Sequence, residues 1–538
     1  MAYFSSIGLG STLLPGILWA KVAEGAEITA SSIAAAEELA GLKFDDAERA
    51  MMLESLKTQQ SRIDALHKVA ISNSVSPALV FDPLPPGKLI PQTRKQPMVR
   101  SKPSGRSLPA SDDEIAFLPV TDLSDFIRRG KLKPSRLTEI YLTRLKKYDP
   151  VLRCTITLTE DRARAQAKLA DEEIARGRYR GPLHGIPWGA KDLLAVKGYK
   201  TTWGAGPFKE QVIDEDATVV QRLDAAGAIL VAKLTLGELA QGDMWFGGRT
   251  RNPWKVDAGS SGSSAGPASA TAGGLVGFSI GSETLGSISS PSTVCGTTGL
   301  RPTYGRVPKT GAMALSWTMD KLGPICRSVE DCALVLDAIY GPDGKDKSAI
   351  AAPYSWDASL SPKKLRIGYV KSAFDMPMMD PKDEKRTIHG SKKWDDAALE
   401  VLRGMGIDLI PVELPDLPYD AMRIILTAEA AAAFDDLTRS NRDAELVQQS
   451  RFDWANTFRT ARFIPAVDYI NANRVRSTTI EAWDELMKKV DVIVTPTNAA
   501  NLAQLVATNL TGHPAVILPN GFRPDGTPVS LTFLGGLF

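Results

Sequence analysis

Between Gly262 and Thr303 the chain sets serines into two separate glycine-rich segments, G-S-S-A-G-P and G-S-E-T-L-G-S-I, and a lysine, Lys191, stands upstream in G-I-P-W-G-A-K-D. A serine hydroxyl attacks a carbonyl only when a base takes its proton and donors await the oxyanion. Histidine is the usual base, and the sequence has four candidates in His67, His184, His389 and His513. None has the setting of a general base: His67 falls in a helical N-terminal region, His184 in the tight turn G-P-L-H-G-I-P, His389 in the charged loop K-R-T-I-H-G, and His513 in a turn before proline. The segment G-S-S-A-G also matches the nucleophile elbow G-x-S-x-G, with Ser264 as nucleophile, but that elbow follows a strand. Here N-P-W-K-V-D-A-G-S-S precedes it, a run of turn formers without an apolar core. A flexible serine/glycine linker is the plain alternative, and the ordered apolar sequence on both sides argues against it.

These residues resemble the amidase signature family, whose hydrolases use two serines and a lysine. The family's lysine loop G-[IV]-P-x-x-x-K-[DE] is matched by Gly185, Ile186, Pro187, Lys191 and Asp192, its G-S-S-G-G-S loop by Gly262, Ser263 and Ser264, and its G-S-D-T-G-G-S-I-R segment by Gly281, Ser282, Thr284, Gly286, Ser287 and Ile288. The resemblance implies Lys191 as base, Ser263 as bridging serine and Ser287 as nucleophile. Ser260 and Ser261 compete for the bridging place, but the spacing from Ser263 to Ser287 is the family's. The backbone N–H groups of Thr284, Leu285, Gly286 and Ser287 are the implied oxyanion donors, and the bridging serine of this family typically sits in a cis peptide. Leu239 and Gln241, in G-E-L-A-Q-G, lie where the family often borders its substrate pocket, with core packing as the alternative.

Further landmarks are N-P-W at 252–254, C-G-T-T-G-L-R-P-T-Y-G-R-V at 295–307, D-K-L-G-P at 320–324 and G-H-P-A-V-I-L-P-N-G-F at 512–522. Three departures stand in the nucleophile loop: Glu283 for aspartate, Leu285 for glycine and Ser289 for arginine. Leu285 can donate its N–H only at negative φ, and loss of the aspartate and arginine removes an expected ion pair, so a loosened loop is expected. A lysine near its reference pKa of about 10.4 is a poor base, so Lys191 is expected to be desolvated.

The resemblance implies hydrolysis of carbon–nitrogen bonds in small amides through a serine acyl-enzyme, with no metal and no cofactor. Carbamate (urethane) or ester hydrolysis in the same site is one alternative. A second is an amidotransferase A-type subunit, which passes released ammonia to a partner, and a third is a degenerate binding module. The expected partners are small-molecule substrates, with a homodimer as an expected assembly.

The elements that must position these residues follow from length and pattern. With 538 residues, 43% of them hydrophobic, the chain can bury one large core or two ordinary ones. Lysine plus arginine (64) nearly balance aspartate plus glutamate (62), which excludes a global field for nucleic acid or an anionic membrane. Cys154, Cys295, Cys326 and Cys332 are too few and too irregular for a disulfide framework or a zinc site and read as buried small hydrophobes.

From about Ser111, helical segments alternate with short apolar runs, the pattern of an α/β protein with a buried sheet. The resemblance makes this a large twisted mixed sheet surrounded by helices, the amidase signature fold, with an α-helical N-terminal extension. Helices are expected over Asp161–Arg176, ended by Gly177, and over Val329–Tyr340; strands are expected at Ala228–Ala232, Leu365–Val370 and Val490–Val494. Residues 419–470 read as a helical insertion that either covers the active site or forms a surface layer.

Upstream of this catalytic domain, 111–538, residues 26–75 read as two helices, and the prolines from Pro77 to Pro109 make 76–110 an extended strap or linker. Residues 1–25 begin with an uncharged apolar run broken by Pro15, too short for a membrane span. It resembles the core of an export signal lacking its basic region, so an exported protein is expected over a cytoplasmic one. The catalytic domain is expected to be short at its C-terminus, because the family usually adds a helix after a segment like Val529–Phe538.

Overall fold

The computed structural model describes residues 28–40, 42–69, 72–75, 77, 79–90, 97–497 and 503–538. The export-like segment 1–25 lies outside the described residues. Eleven strands form one sheet: β1 (Thr155–Leu158), β2 (Pro187–Lys191), β3 (Ile229–Leu234), β4 (Phe278–Glu283), β5 (Thr298–Arg301), β6 (Lys321–Cys326), β7 (Ile367–Val370), β8 (Leu409–Val412), β9 (Val492–Pro496), β10 (Ala515–Phe522) and β11 (Pro528–Gly535). Their spatial order is β1-β3-β2-β4-β6-β5-β10-β11-β9-β7-β8. The sheet is mixed. β2 runs parallel to β3 and β4, and β7 runs parallel to β8 and β9, whereas the strands between these groups pair antiparallel.

Every residue of β2, β3 and β4 is buried, as expected where helices cover both faces of parallel strands. Helices Glu160–Ala175, Ala265–Ala272 and Val329–Ile339 pack against β3, β4 and β6. Trp188 of β2 stacks on Phe278 of β4 with ring centroids 6.0 Å apart, and the two residues are register partners. That contact fixes β2 and β4 side by side, so the two strand ends that carry Lys191 and Ser282 stay aligned.

The elements expected from the pattern fall within a few residues of their places. The helix anticipated over 161–176 spans Glu160–Ala175, with Gly177 at φ +80° just beyond, and the one over 329–340 spans Val329–Ile339 with Ser328 accepting the Asp331 N–H. The three anticipated strands are β3, β7 and β9. All four cysteines are free and buried. Residues 419–470 hold the helices Ile424–Ala433, Asp435–Arg439 and Trp454–Ala461, and a longer helix, Ala466–Met487, begins at their end.

Ahead of the sheet, Ala30–Ala40 and Asp46–His67 are helices. The proline-rich stretch then touches the body at several points: Val99 forms a bridge to Asp357, the Ser101 N–H donates to Glu330 at 3.0 Å, and Phe81 packs on Tyr304 at 5.1 Å. No helix among the described residues is long and apolar enough to cross a membrane.

Candidate active site

Lys191 ends β2 and is fully buried. Its Nζ lies 2.8 Å from Ser263 Oγ, 2.8 Å from Ser282 Oγ, 3.1 Å from Ser264 Oγ and 3.5 Å from the Ser282 carbonyl. All four neighbours are neutral oxygens. Burial, the largest influence, holds the ammonium well below the usual lysine range, against the weaker opposing pull of Asp320 and Glu283. Asp192, the next residue, is occupied elsewhere: its carboxylate lies 2.7 Å from Lys233 Nζ and accepts from the Thr202 N–H at 2.8 Å.

The serine segment approaches Lys191 through a tight turn, with the Gly262–Ser263 peptide cis and Ser261 at φ +59°. Gly262 is there for want of space, since a Cβ would stand 1.8 Å from the Gly242 carbonyl oxygen. Ser264 is held on every side. Its Oγ donates to the Ser282 carbonyl at 3.1 Å and accepts from the Ser282 N–H at 3.1 Å and from Lys191. A hydroxyl with its single proton and both lone pairs engaged is no free nucleophile. The nucleophile-elbow alternative fails on topology as well. A short strand, Lys255–Gly259, does precede the serines, but it pairs only with Arg251–Asn252 in a hairpin apart from the main sheet. Ser260 donates to the Ser261 carbonyl, and Ser261 Oγ lies 2.7 Å from Ser290 Oγ, so neither reaches Lys191.

Ser287 follows β4 across a short loop, and its carbonyl accepts the Ser264 N–H at 3.0 Å, tying the two serine loops together. Among the described residues, Ser263 Oγ is bonded to Lys191 and not to the Ser287 hydroxyl. Gly286 takes φ +91°, while Leu285 keeps an ordinary negative φ that suits its side chain. The N–H groups of Leu285, Gly286 and Ser287 have no acceptor among the described residues, whereas those of Ile288 and Ser289 are both taken by Glu283 at 2.9 and 2.8 Å. Thr284 is fixed through its hydroxyl, which donates to Asp320 Oδ1 at 2.6 Å.

The expectation of a loosened loop is corrected by this geometry. Glu283 is fully buried and pairs with Arg301 of β5 at 2.8 Å, while Asn509 and the Ser289 hydroxyl each add a bond of 2.8 Å. Arg301 in turn donates to Thr508 Oγ1 at 2.8 Å and to the His513 carbonyl at 3.0 Å. Burial pushes the Glu283 carboxyl upward, but Arg301 and these donors outweigh it and bring it down to about 2. A cation reaching across from another strand thus does the work expected of an arginine two residues past Ser287.

Leu239 is fully buried at φ +48°, and its carbonyl accepts the Trp454 indole N–H at 3.0 Å. Gln241 spends both ends of its amide on the insertion, donating to the Phe452 carbonyl at 2.9 Å and accepting from the Trp454 N–H at 3.0 Å. Neither lines the cavity of about 290 Å³ that reaches the site through Leu193, Ala240, Ser282, Thr284 and Asp320. Both staple the insertion to the body instead. Nothing in the sequence singles out Arg301, Asp320 and Asn509 as site residues. The first two sit in landmark segments, but nothing in their spacing shows that they aim at the loop around Glu283 and Thr284.

Comparison with known proteins shows the family and the fold. The Amidase family model matches residues 136–538. The A-type subunit of the glutamyl-tRNA(Gln) amidotransferase of Roseiflexus sp. (strain RS-1) is 32% identical over 464 residues, covering 78% of this chain and 93% of that protein. The native peptide amidase of Stenotrophomonas maltophilia superposes with a TM-score of 0.66 at 31% identity, covering 78% of this chain and 93% of that one. A structure from a vestigial protein complex bearing on the origins of an s-triazine catabolic enzyme gives 0.69 at 27% identity, covering 78% and 95%. With a family match over most of its length and the sheet, lysine and paired serine loops in these positions, the chain belongs to the amidase family.

Proposed function

We propose that the chain hydrolyses carbon–nitrogen bonds of small amides through an acyl-enzyme, with Ser287 as nucleophile, Ser263 as bridging hydroxyl and Lys191 as base. The observation that carries this reading is the setting of Lys191: fully buried, within 2.8 Å of Ser263 Oγ, and touching no carboxylate among the described residues. A neutral amine there can accept a proton.

As substrate draws the two serines together, Ser263 passes its proton to Lys191 and takes the proton of Ser287, whose oxygen bonds to the carbonyl carbon. The N–H groups of Leu285, Gly286 and Ser287, with Thr284 beside them, receive the oxyanion. Collapse breaks the carbon–nitrogen bond, and the proton returns through Ser263 to the departing amine. Water then gives a proton to the same relay, attacks the acyl carbon and releases the acid, restoring Ser287. Nothing in this route requires nitrogen in the leaving group, so carbamates and esters fall within its chemical range.

A second reading is favoured by the 32% identity to an amidotransferase A-type subunit. In it the same half-reaction frees ammonia for a partner that modifies charged transfer RNA. The two readings part on one measurement: turnover of small amides by the purified chain alone supports the hydrolase, and turnover only with copurifying partners supports the amidotransferase. The site itself is tested by fluorophosphonate labelling and peptide mapping. The label is expected on Ser287; a label on Ser264, or none, overturns the assignment.

A further inference from the structure

A second cavity adjoins the one that reaches the site. The inner cavity, about 290 Å³, ends against Ser282 and Thr284; the outer groove, about 930 Å³, runs between the helical insertion and the loop after Thr202. Among the described residues, two line both spaces, Asn73 and Trp317, so they form the wall between them. Asn73 comes from outside the family-matched region, which begins at residue 136.

Asn73 is locked in this position. Its Nδ2 donates to the Ala314 carbonyl at 2.8 Å and its Oδ1 accepts the Ala314 N–H at 2.8 Å, a two-point grip on the backbone, with a longer contact of 3.4 Å to the Ala433 carbonyl. The gripped loop is wired to the catalytic side. The Leu315 and Ser316 N–H groups donate to Asp320 Oδ2 at 2.8 and 3.0 Å, and the other oxygen of Asp320 holds Thr284. From the opposite side Glu429 of the insertion accepts from the Ser316 and Thr318 hydroxyls at 2.6 and 2.8 Å. The wall is therefore built jointly by the N-terminal extension, the insertion and the loop that steadies the oxyanion donors.

The outer groove is aromatic. Trp203 packs on Phe208 at 4.6 Å and on Phe434 at 6.0 Å, with Leu437 beside them. The arginines at its margin are paired: Arg439 with Asp435 at 2.6 Å, also at the margin, and Arg442 with Glu445 at 3.1 Å, outside it. Such a surface offers apolar contact and little net field to a charged group.

We infer that Asn73 and Trp317 form a specificity-determining gate between the catalytic cavity and an aromatic groove that takes an apolar chain or ring of the substrate. The substrate class is then an amide or related acyl compound whose reacting carbonyl lies in the inner cavity and whose apolar part passes the gate. This inference rests on the reading of Ser287 as nucleophile.

The test labels the full chain with two alkyl fluorophosphonates that differ only in chain length, ethyl and dodecyl, and compares their rates at Ser287. The wild-type chain reacts faster with the dodecyl probe. Asn73→Trp, which fills the gate, lowers the dodecyl-to-ethyl ratio by about tenfold, the scale at which pocket contacts discriminate apolar groups. Phe208→Asp, in the groove and away from the Ala314 grip, lowers the same ratio, so the inference stays testable if the first variant fails to fold. Labelling of Ser287 with an unchanged ratio in both variants overturns the gate and leaves the hydrolase reading standing. Absence of label at Ser287 with either probe in the wild type overturns both.

Discussion

Two buried lysines stand on adjacent parallel strands, Lys191 at the end of β2 and Lys233 in β3, one register step apart. Burial lowers the pKa of each, yet their surroundings differ in one respect. Lys233 has a carboxylate 2.7 Å away, and it also donates to the Lys200 carbonyl and Thr201 Oγ1, both at 2.6 Å. That contact restrains its downward shift. Among the described residues, Lys191 has only hydroxyls and a carbonyl within reach. The carboxylate that could have held it charged belongs to its own neighbour, Asp192, and consecutive residues of an extended chain face opposite ways. A K-D sequence at a strand end therefore hands the acid to one lysine and leaves the other without that counter-charge, the setting on which the proposed base role rests.

The largest way to break this contrast is chemical. Lys191→Met and Ser287→Ala are each expected to lower kcat/KM by about 10³-fold or more, measured on any amide the chain turns over. Retention of a tenth of the activity by Lys191→Met would remove it as base. In the wild type the rate should rise with pH as Lys191 loses its proton, with a midpoint below the ordinary lysine value of 10.5. The linked stability has a definite sign. The unfolded chain holds the proton more tightly, so stability rises with pH between the depressed folded value and 10.5 and is level above it.

The next effect separates the lysines by stability. Lys233→Met strands the Asp192 carboxylate in the core and is expected to cost about 3–5 kcal/mol in urea unfolding, whereas Lys191→Met, which removes hydrogen bonds but no ion pair, costs no more than about 2 kcal/mol. Equal losses would mean that Lys191 is charged in the folded protein.

Glu283→Gln should cost about 3 kcal/mol at neutral pH by leaving Arg301 without its counter-charge. In the wild type the Glu283 contribution is complete above 4.5 and is lost as pH falls toward about 2, so the variant should flatten that part of an acid-unfolding curve. Smallest is Ser282→Ala, which removes one 2.8 Å contact to Lys191. About a fivefold loss in kcat/KM is expected, with the acid limb of the pH profile displaced, as one hydrogen bond of about 1 kcal/mol allows.

Much of this site was legible in the linear chain because its parts are local. Lys191, Ser263 and Ser287 lie in short segments whose glycines and serines carry their own signal, and the strands β3, β7 and β9 announce themselves as compact apolar runs. What escaped is long-range. The sequence shows Ser289 where an arginine is usual, and only the sheet shows that Arg301, with β6 between its strand and β4, supplies the missing cation to Glu283. Leu239 and Gln241 suggested a pocket, but their partners on the insertion, Phe452 and Trp454, are more than two hundred residues away. Asn73 carried no signal at all, since a single carboxamide in a polar stretch says nothing about the backbone it will grip.

The strand order has a further consequence, for the timing of activity during synthesis. The hairpin of β10 and β11 sits between β5 and β9, joining two blocks of strands that are all made before it. Until Ala515 and the residues after it emerge from the ribosome, each block shows an unmatched edge, the kind of surface that invites wrong partners. The His513 carbonyl, which helps to aim Arg301 at Glu283, is made just ahead of that hairpin. A nascent chain should thus stay chemically silent until these residues are made, and a ribosome-tethered chain ending before Thr508 should fail to react with a fluorophosphonate.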